Sequence, residues 1–186
     1  MPSFATVRTA HLRLALTHWL AVARLRPDTG LLGSTFFQQA QVDQWVNWSG
    51  FELEVARGAW LLPIYGHAPH YPEVSQLAKE KVLSYVEIMN KHLLTRTYFV
   101  GNYITLADIV IATACVELVR LVRSFCAARL ELIRLRAQVL TPEVLKKNEN
   151  FARWYTTVVN QPQFKAVLGE VQYAAQEAQV RSSLLI

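Results

Sequence analysis

The stretch Gly101-Asn102-Tyr103-Ile104-Thr105-Leu106-Ala107-Asp108-Ile109 carries every part of a helix start. Thr105 sits where an N-cap hydroxyl accepts from the N3 amide, and Asp108 at N3 is placed to reach back to the Thr105 amide. Ile104 and Ile109 occupy the N′ and N4 positions of a hydrophobic staple. Asp stands where Glu or Gln is more usual and also suits the positive end of the helix dipole. The run that follows, Ile104 to Val122, has Asp108, Glu117 and Arg120 as its only charged residues. A helix this apolar on every side has to be enclosed by others, while its charges argue against a membrane span. The chain is thereby committed to a layer of helices around a central one.

The remainder agrees with an all-α fold. Seven Gly and seven Pro in 186 residues are too few for the many turns of a β-sandwich, and the length suits one compact domain. Hydrophobic residues make up 52% and charged residues 18%, which excludes intrinsic disorder. The net charge of +5 and pI near 9.4 would suit nucleic acid only if the charge gathered on one face. One local concentration exists, Arg120, Arg123, Arg129, Arg134 and Arg136, diluted by Glu117 and Glu131. It reads as a solvated helix face, with contact to RNA or to an acidic protein as the alternative. Cys115 and Cys126 on one helix would lie about 16 Å apart, beyond disulfide reach, which fits a reducing, cytoplasmic compartment.

Helix boundaries follow from specific residues. Residues 1–27 contain no acidic residue and carry Arg8, Arg13, Arg24 and Arg26. This composition also describes a mitochondrial transit peptide, against which stands an ordinary amphipathic helix from His11 to Arg26, ended by Pro27-Asp28-Thr29-Gly30. Ser34 or Thr35 caps a helix bearing Ala40, Trp45, Val46, Trp48 and Phe51, loosened by Gly50 and Gly58 and stopped near Pro63. Tyr65 to Pro72 reads as a loop. Glu73 to Arg96 then places Ala78, Val82, Tyr85, Val86, Met89 and Leu93 on one helix face. Thr141-Pro142-Glu143 opens another helix, Asn160-Gln161-Pro162 breaks it, and Gln163 to Gln179 forms the last.

No catalytic, cofactor-binding or metal site is predicted. His67 and His70 are three apart but lack a third ligand nearby, and His11 and His18 read as helix-surface residues. Cys115 reads as a small buried hydrophobe, and nothing beside Cys126 marks a nucleophile. Asp108 is explained by capping, with the box Thr105, Asp108 and the staple Ile104, Ile109 as the structural site. Trp45, Trp48, Trp60 and Trp154 fall on apolar helix faces and read as core.

The stretch Leu93-Leu94-Thr95-Arg96-Thr97-Tyr98-Phe99-Val100-Gly101, continuing into Thr105-Leu106-Ala107-Asp108-Ile109, resembles the C-terminal helical domain of glutathione transferases. Gln41-Val42-Asp43-Gln44-Trp45-Val46, Phe151-Ala152-Arg153-Trp154-Tyr155 and Val159-Asn160-Gln161-Pro162-Gln163-Phe164 narrow the likeness to the transferase-like domain of the elongation factor 1 gamma family. The resemblance implies an all-α bundle of glutathione transferase C-terminal type over residues 31–179, after an atypical segment 1–30 and before a tail 180–186. It also implies a non-catalytic scaffold in translation elongation that meets the guanine-nucleotide exchange subunits of elongation factor 1, with a homodimer as a further expectation and no membrane contact. Alternatives are a transferase-like enzyme with residual or lost glutathione conjugation, and a helical adaptor of an aminoacyl-tRNA synthetase complex.

The chain departs from the family pattern in its first thirty residues, which do not hold the thioredoxin-like domain, in the separate C-terminal domain, and in an extra stretch at Ser124 to Gln138. The residues before the seven prolines, Met1, Arg26, Leu62, Ala68, Tyr71, Thr141 and Gln161, include no Val or Ile for the cis-proline strand end of that domain. An apolar patch is therefore expected on the bundle, covered in part by Leu12, Leu14, Leu16, Trp19, Leu20 and Val22.

Overall fold

The computed structural model describes residues 19–64, 66–119 and 141–169. Among them there is no strand, and the fold is an all-α bundle. A helical stretch over 19–24 leads into a 3-10 turn, Pro27–Thr29. Seven helices follow: α1 Phe36–Trp48, α2 Glu54–Ile64, α3 Pro72–His92, α4 Leu106–Val119, α5 Pro142–Lys147, α6 Glu149–Val159 and α7 Pro162–Leu168. No described helix is long and apolar enough to cross a membrane.

Thr35 caps α1 by accepting from the Gln38 amide. Just before it, Gly33 adopts φ +91°, and a Cβ there would come within 2.7 Å of Gln38 Cβ. Only glycine lets the loop turn that close to the first turn of the helix. Gln38 Oε1 accepts from the Ser34 amide, the Ser34 hydroxyl and the Tyr103 hydroxyl, and the Leu31 carbonyl accepts from the Leu106 amide. The beginnings of α1 and α4 are thus held by the same loop.

Between α1 and α2 the helix does not break but widens into one π turn, Ser49–Leu53. Ser49, Gly50 and Leu53 are all buried in it, against α4. A wide turn re-phases the apolar stripe, so that Val42 and Val46 before it and Leu53, Ala56 and Trp60 after it all point into the core. Helix α2 ends at Ile64, one residue past Pro63, as the sequence predicts, and Gly66 at φ +74° makes the turn that follows.

Helices α2 and α3 form the most extensive pair. The Tyr85 hydroxyl donates to the Glu52 carboxylate and the Lys79 ammonium lies 5.9 Å from the Trp60 ring, so the two run antiparallel. Helix α3 starts at Pro72, one residue before the sequence expectation, and stops at His92 rather than Arg96. The reason lies in α6: Arg153 Nη2 donates to the carbonyls of Leu93 and Arg96, drawing the chain off the helix axis.

In return, α3 caps α6. Asn90 Oδ1 accepts from the amides of both Asn150 and Phe151, and Lys147 pairs with Glu87 at 2.9 Å. Asn148, whose own side chain donates to the Val144 carbonyl, makes no side-chain cap on α6, so the cap comes from another helix. Asn90→Ala is expected to cost about 1–2 kcal/mol, as loss of an N-cap does, lowering Tm by about 3–6 °C in a circular dichroism melt.

Helix α4 packs against α1, the π turn and α6. Leu106, Ala107, Val110, Ile111, Ala112, Ala114, Cys115, Val116 and Leu118 are buried on all its sides. Helix α6 shows the opposite pattern, with Phe151, Trp154, Tyr155, Val158 and Val159 on one buried face and Arg153, Thr156 and Asn160 outward. The sequence expectation of one helix from Pro142 to Asn160 is corrected to two, because Asn148 leaves helical geometry at φ −118°, ψ 61°. The last helix is described to Leu168, where Gly169 at φ +69° follows. The expected extensions to Leu140 and Gln179 lie outside the described residues.

Candidate functional site

The densest polar arrangement is built on Asp108, a fully buried residue in the first turn of α4. Its Oδ2 accepts from the Thr105 amide at 2.9 Å and from the Thr105 hydroxyl at 3.0 Å. Its Oδ1 accepts from the Phe99 amide at 3.0 Å and from Trp154 Nε1 at 2.8 Å. One carboxylate therefore joins the loop after α3, the start of α4 and the middle of α6. The Thr105 hydroxyl donates to Asp108 Oδ2, and Ile104 and Ile109 are both half-buried at either side.

Burial pushes the Asp108 carboxyl above its ordinary range, and the hydrogen bonds from Thr105, Phe99 and Trp154 pull it back. Four donors occupy both oxygens, and no part of the residue meets solvent. The arrangement fastens three chain segments to one carboxylate.

From Trp154 an aromatic series crosses the bundle. Trp154 meets Phe99 edge-on at 4.9 Å, Phe99 meets Trp45 at 4.7 Å, Trp45 meets Trp48 at 5.3 Å, and Trp48 meets Tyr85 at 5.3 Å. His92 stacks on Phe99, and its Nε2–H donates to the Phe99 carbonyl at 3.0 Å. Phe99 is consequently fixed at its ring, its amide and its carbonyl. Edge-to-face contacts of this kind add to the burial energy of the rings. Tyr85, itself buried, ends the series, its hydroxyl pushed up to about 12 by burial and by the neighbouring Glu52 carboxylate.

The other residues singled out from the sequence lie apart. Trp60 is buried, and Trp45 and Trp48 are half-buried against the core. Cys115 is fully buried in α4, where desolvation pushes its thiol far up. His67 and His70 sit in the turn after α2, and among the described residues no three His, Cys, Asp or Glu side chains gather into a metal cluster. His11, His18, Cys126 and the series Arg120, Arg123, Arg129, Arg134, Arg136 lie outside the described residues. Acidic and basic residues balance in number among the described ones, so the excess positive charge is carried by the segments beyond them.

Several large apolar side chains face outward. Phe36 and Phe37 in the first turn of α1 are 88% and 71% exposed. Trp19, Val22 and Leu25, spaced three apart, are exposed beside the buried Ala23. Phe51 in the π turn and Val55 in α2 are each 44% exposed.

Residues 53–162 match the family "Glutathione S-transferase, C-terminal domain". Elongation factor 1-gamma of Carassius auratus is 36% identical over 159 residues, 86% of this chain and 32% of that protein. Elongation factor 1-gamma-A of Xenopus laevis is 35% identical over 86% of this chain and 33% of its own length. The chain spans about a third of the length of these curated relatives. Among solved structures, the GST-like domain of elongation factor 1-gamma from Saccharomyces cerevisiae aligns with TM-score 0.68 at 22% identity, covering 83% of this chain and 64% of that one. Poplar glutathione transferase F1 aligns with TM-score 0.59 at 18% identity, over 80% of this chain and 65% of the other. At these identities the structural likeness speaks for the fold alone.

Proposed function

The chain belongs to the glutathione S-transferase C-terminal domain family, and we propose that it acts as a non-catalytic interaction module of elongation factor 1, in the manner of a gamma subunit. The observation that carries this is the 36% identity to elongation factor 1-gamma along 86% of the chain. In this reading the protein works in the cytoplasm during peptide chain elongation, holding the guanine-nucleotide exchange subunits without taking part in exchange. Further support comes from the fully engaged Asp108, which leaves the most polar part of the core with a fastening role, and from the outward Phe36 and Phe37, which suit contact with another protein.

The test is affinity capture of the full chain from cells, with mass spectrometry of what comes with it. The exchange subunits of elongation factor 1 are expected in stoichiometric amounts. Recovery of an aminoacyl-tRNA synthetase in their place would overturn the assignment. So would conjugation of glutathione to 1-chloro-2,4-dinitrobenzene by the purified chain at a rate well above background, which would make it an enzyme.

A further inference from the structure

The geometry points to Thr29 as a phosphorylation site for an arginine-directed serine/threonine kinase. Arg24 and Arg26 stand five and three residues before Thr29, a spacing of two arginines ahead of a hydroxyl residue that occurs once in the sequence. In an extended chain, residues two apart project to the same side, so an acidic substrate groove can take both guanidinium groups while the hydroxyl lies over the phosphoryl donor.

The structure places this segment where a kinase can reach it. Residues 24–29 are all exposed. Arg26 pairs with Asp28 at 2.8 Å through side chains 72% and 62% exposed. The turn Pro27–Thr29 is closed by main-chain bonds of 3.2 Å to the Arg26 carbonyl and 3.4 Å to the Pro27 carbonyl. The Thr29 hydroxyl donates to the Arg26 carbonyl at 2.7 Å. Nothing in the turn Pro27–Thr29 is buried, and Arg24 is the last residue of the helical stretch, so reaching the extended form unwinds only that end of it, beside the buried Ala23. Thr156 also follows an arginine by three residues, but it lies within α6, whose removal would open the core.

In the reaction, Thr29 Oγ bonds to the γ-phosphorus of ATP as the bond from that phosphorus to the β–γ bridging oxygen breaks. ADP leaves with the electron pair, and the hydroxyl proton passes to the catalytic carboxylate of the kinase. The product phosphate carries a charge of about −1.5 to −2 and competes with Asp28 for Arg26, turning a positive turn negative beside the outward Val22 and Leu25.

Incubation of the purified full chain with an arginine-directed kinase and MgATP, followed by fragment mass spectrometry, is expected to place a phosphoryl group on Thr29. Thr29→Val removes that product. Arg24→Gln and Arg26→Gln each slow its formation roughly tenfold, the loss of one good charge-assisted contact. Rates indifferent to both arginines would overturn the proposal. So would phosphorylation of a peptide covering 22–33 but not of the folded chain, since the site would then be closed in the protein.

Discussion

Asp108→Ala is expected to destabilise the bundle by about 3–5 kcal/mol, far more than the roughly 0.5–2 kcal/mol of an ordinary lost cap. The substitution removes one acceptor group but strands four donors: two main-chain amides, the Thr105 hydroxyl and the Trp154 indole N–H. Each buried donor without a partner costs about 1–3 kcal/mol, and their shared cavity keeps the sum below full addition. A fall in Tm of about 10–15 °C follows for a chain of this size, read by circular dichroism or calorimetry. A fall no larger than that of an exposed cap would mean that the loop 99–105 relaxes to solvent and that the network holds nothing else in place.

The same substitution carries a pH signature. The Asp108 carboxyl lies above its unfolded value in the folded chain, chiefly through desolvation. Its contribution to stability is therefore fully present below the unfolded pKa of about 3.9 and is lost as pH rises through the folded value. All other titrating groups are common to both proteins and cancel in the difference. The gap between wild type and Asp108→Ala is accordingly widest in acid and narrows toward neutral pH in parallel denaturant titrations. A gap that widened with pH would place the folded carboxyl below its unfolded value.

Half of this junction was legible in the sequence and half was not, for a physical reason. Thr105 and Asp108 are three apart, and a helix start brings such residues together whatever the rest of the chain does. The Phe99 amide and the Trp154 indole are nine and forty-six residues away from Asp108, and only packing brings them to it. The periodicity of Ala78, Val82, Tyr85, Val86 and Met89 predicted the buried face of α3, since burial follows from the 3.6-residue repeat alone. Its C-terminal end was misplaced because Arg153, from another helix, decides it. Likewise Gly50 signalled a weak point in the first long helix, yet a π turn and a break leave the same trace in sequence. The burial of Ser49, Gly50 and Leu53 where the turn packs on α4, which sequence does not show, goes with the π turn. Asn148 splits α5 from α6 without Gly or Pro, through a side chain that bonds back to the Val144 carbonyl.

Trp154→Ala is expected to cost about 3–5 kcal/mol, the range for deleting a buried aromatic, because the ring is 1% exposed and touches Phe99, Phe151 and Tyr155. Trp154→Phe keeps most of the ring contacts and drops only the indole N–H, so its cost should fall to about 1–2 kcal/mol. The decisive measurement is the double mutant. If Asp108 and Trp154 were independent supports, Asp108→Ala and Trp154→Ala together would cost the sum of the two. Because part of each single cost is the other partner left unsatisfied, the double variant should fall short of that sum by about 0.5–3 kcal/mol in equilibrium urea unfolding. Strict additivity would mean that the 2.8 Å contact contributes nothing net and that α6 is held to α4 by apolar packing alone. A shortfall would show that the helix carrying Phe151 to Val159 is docked by a polar bond at the start of the central helix, which makes the capping residue of one helix a tertiary anchor of another.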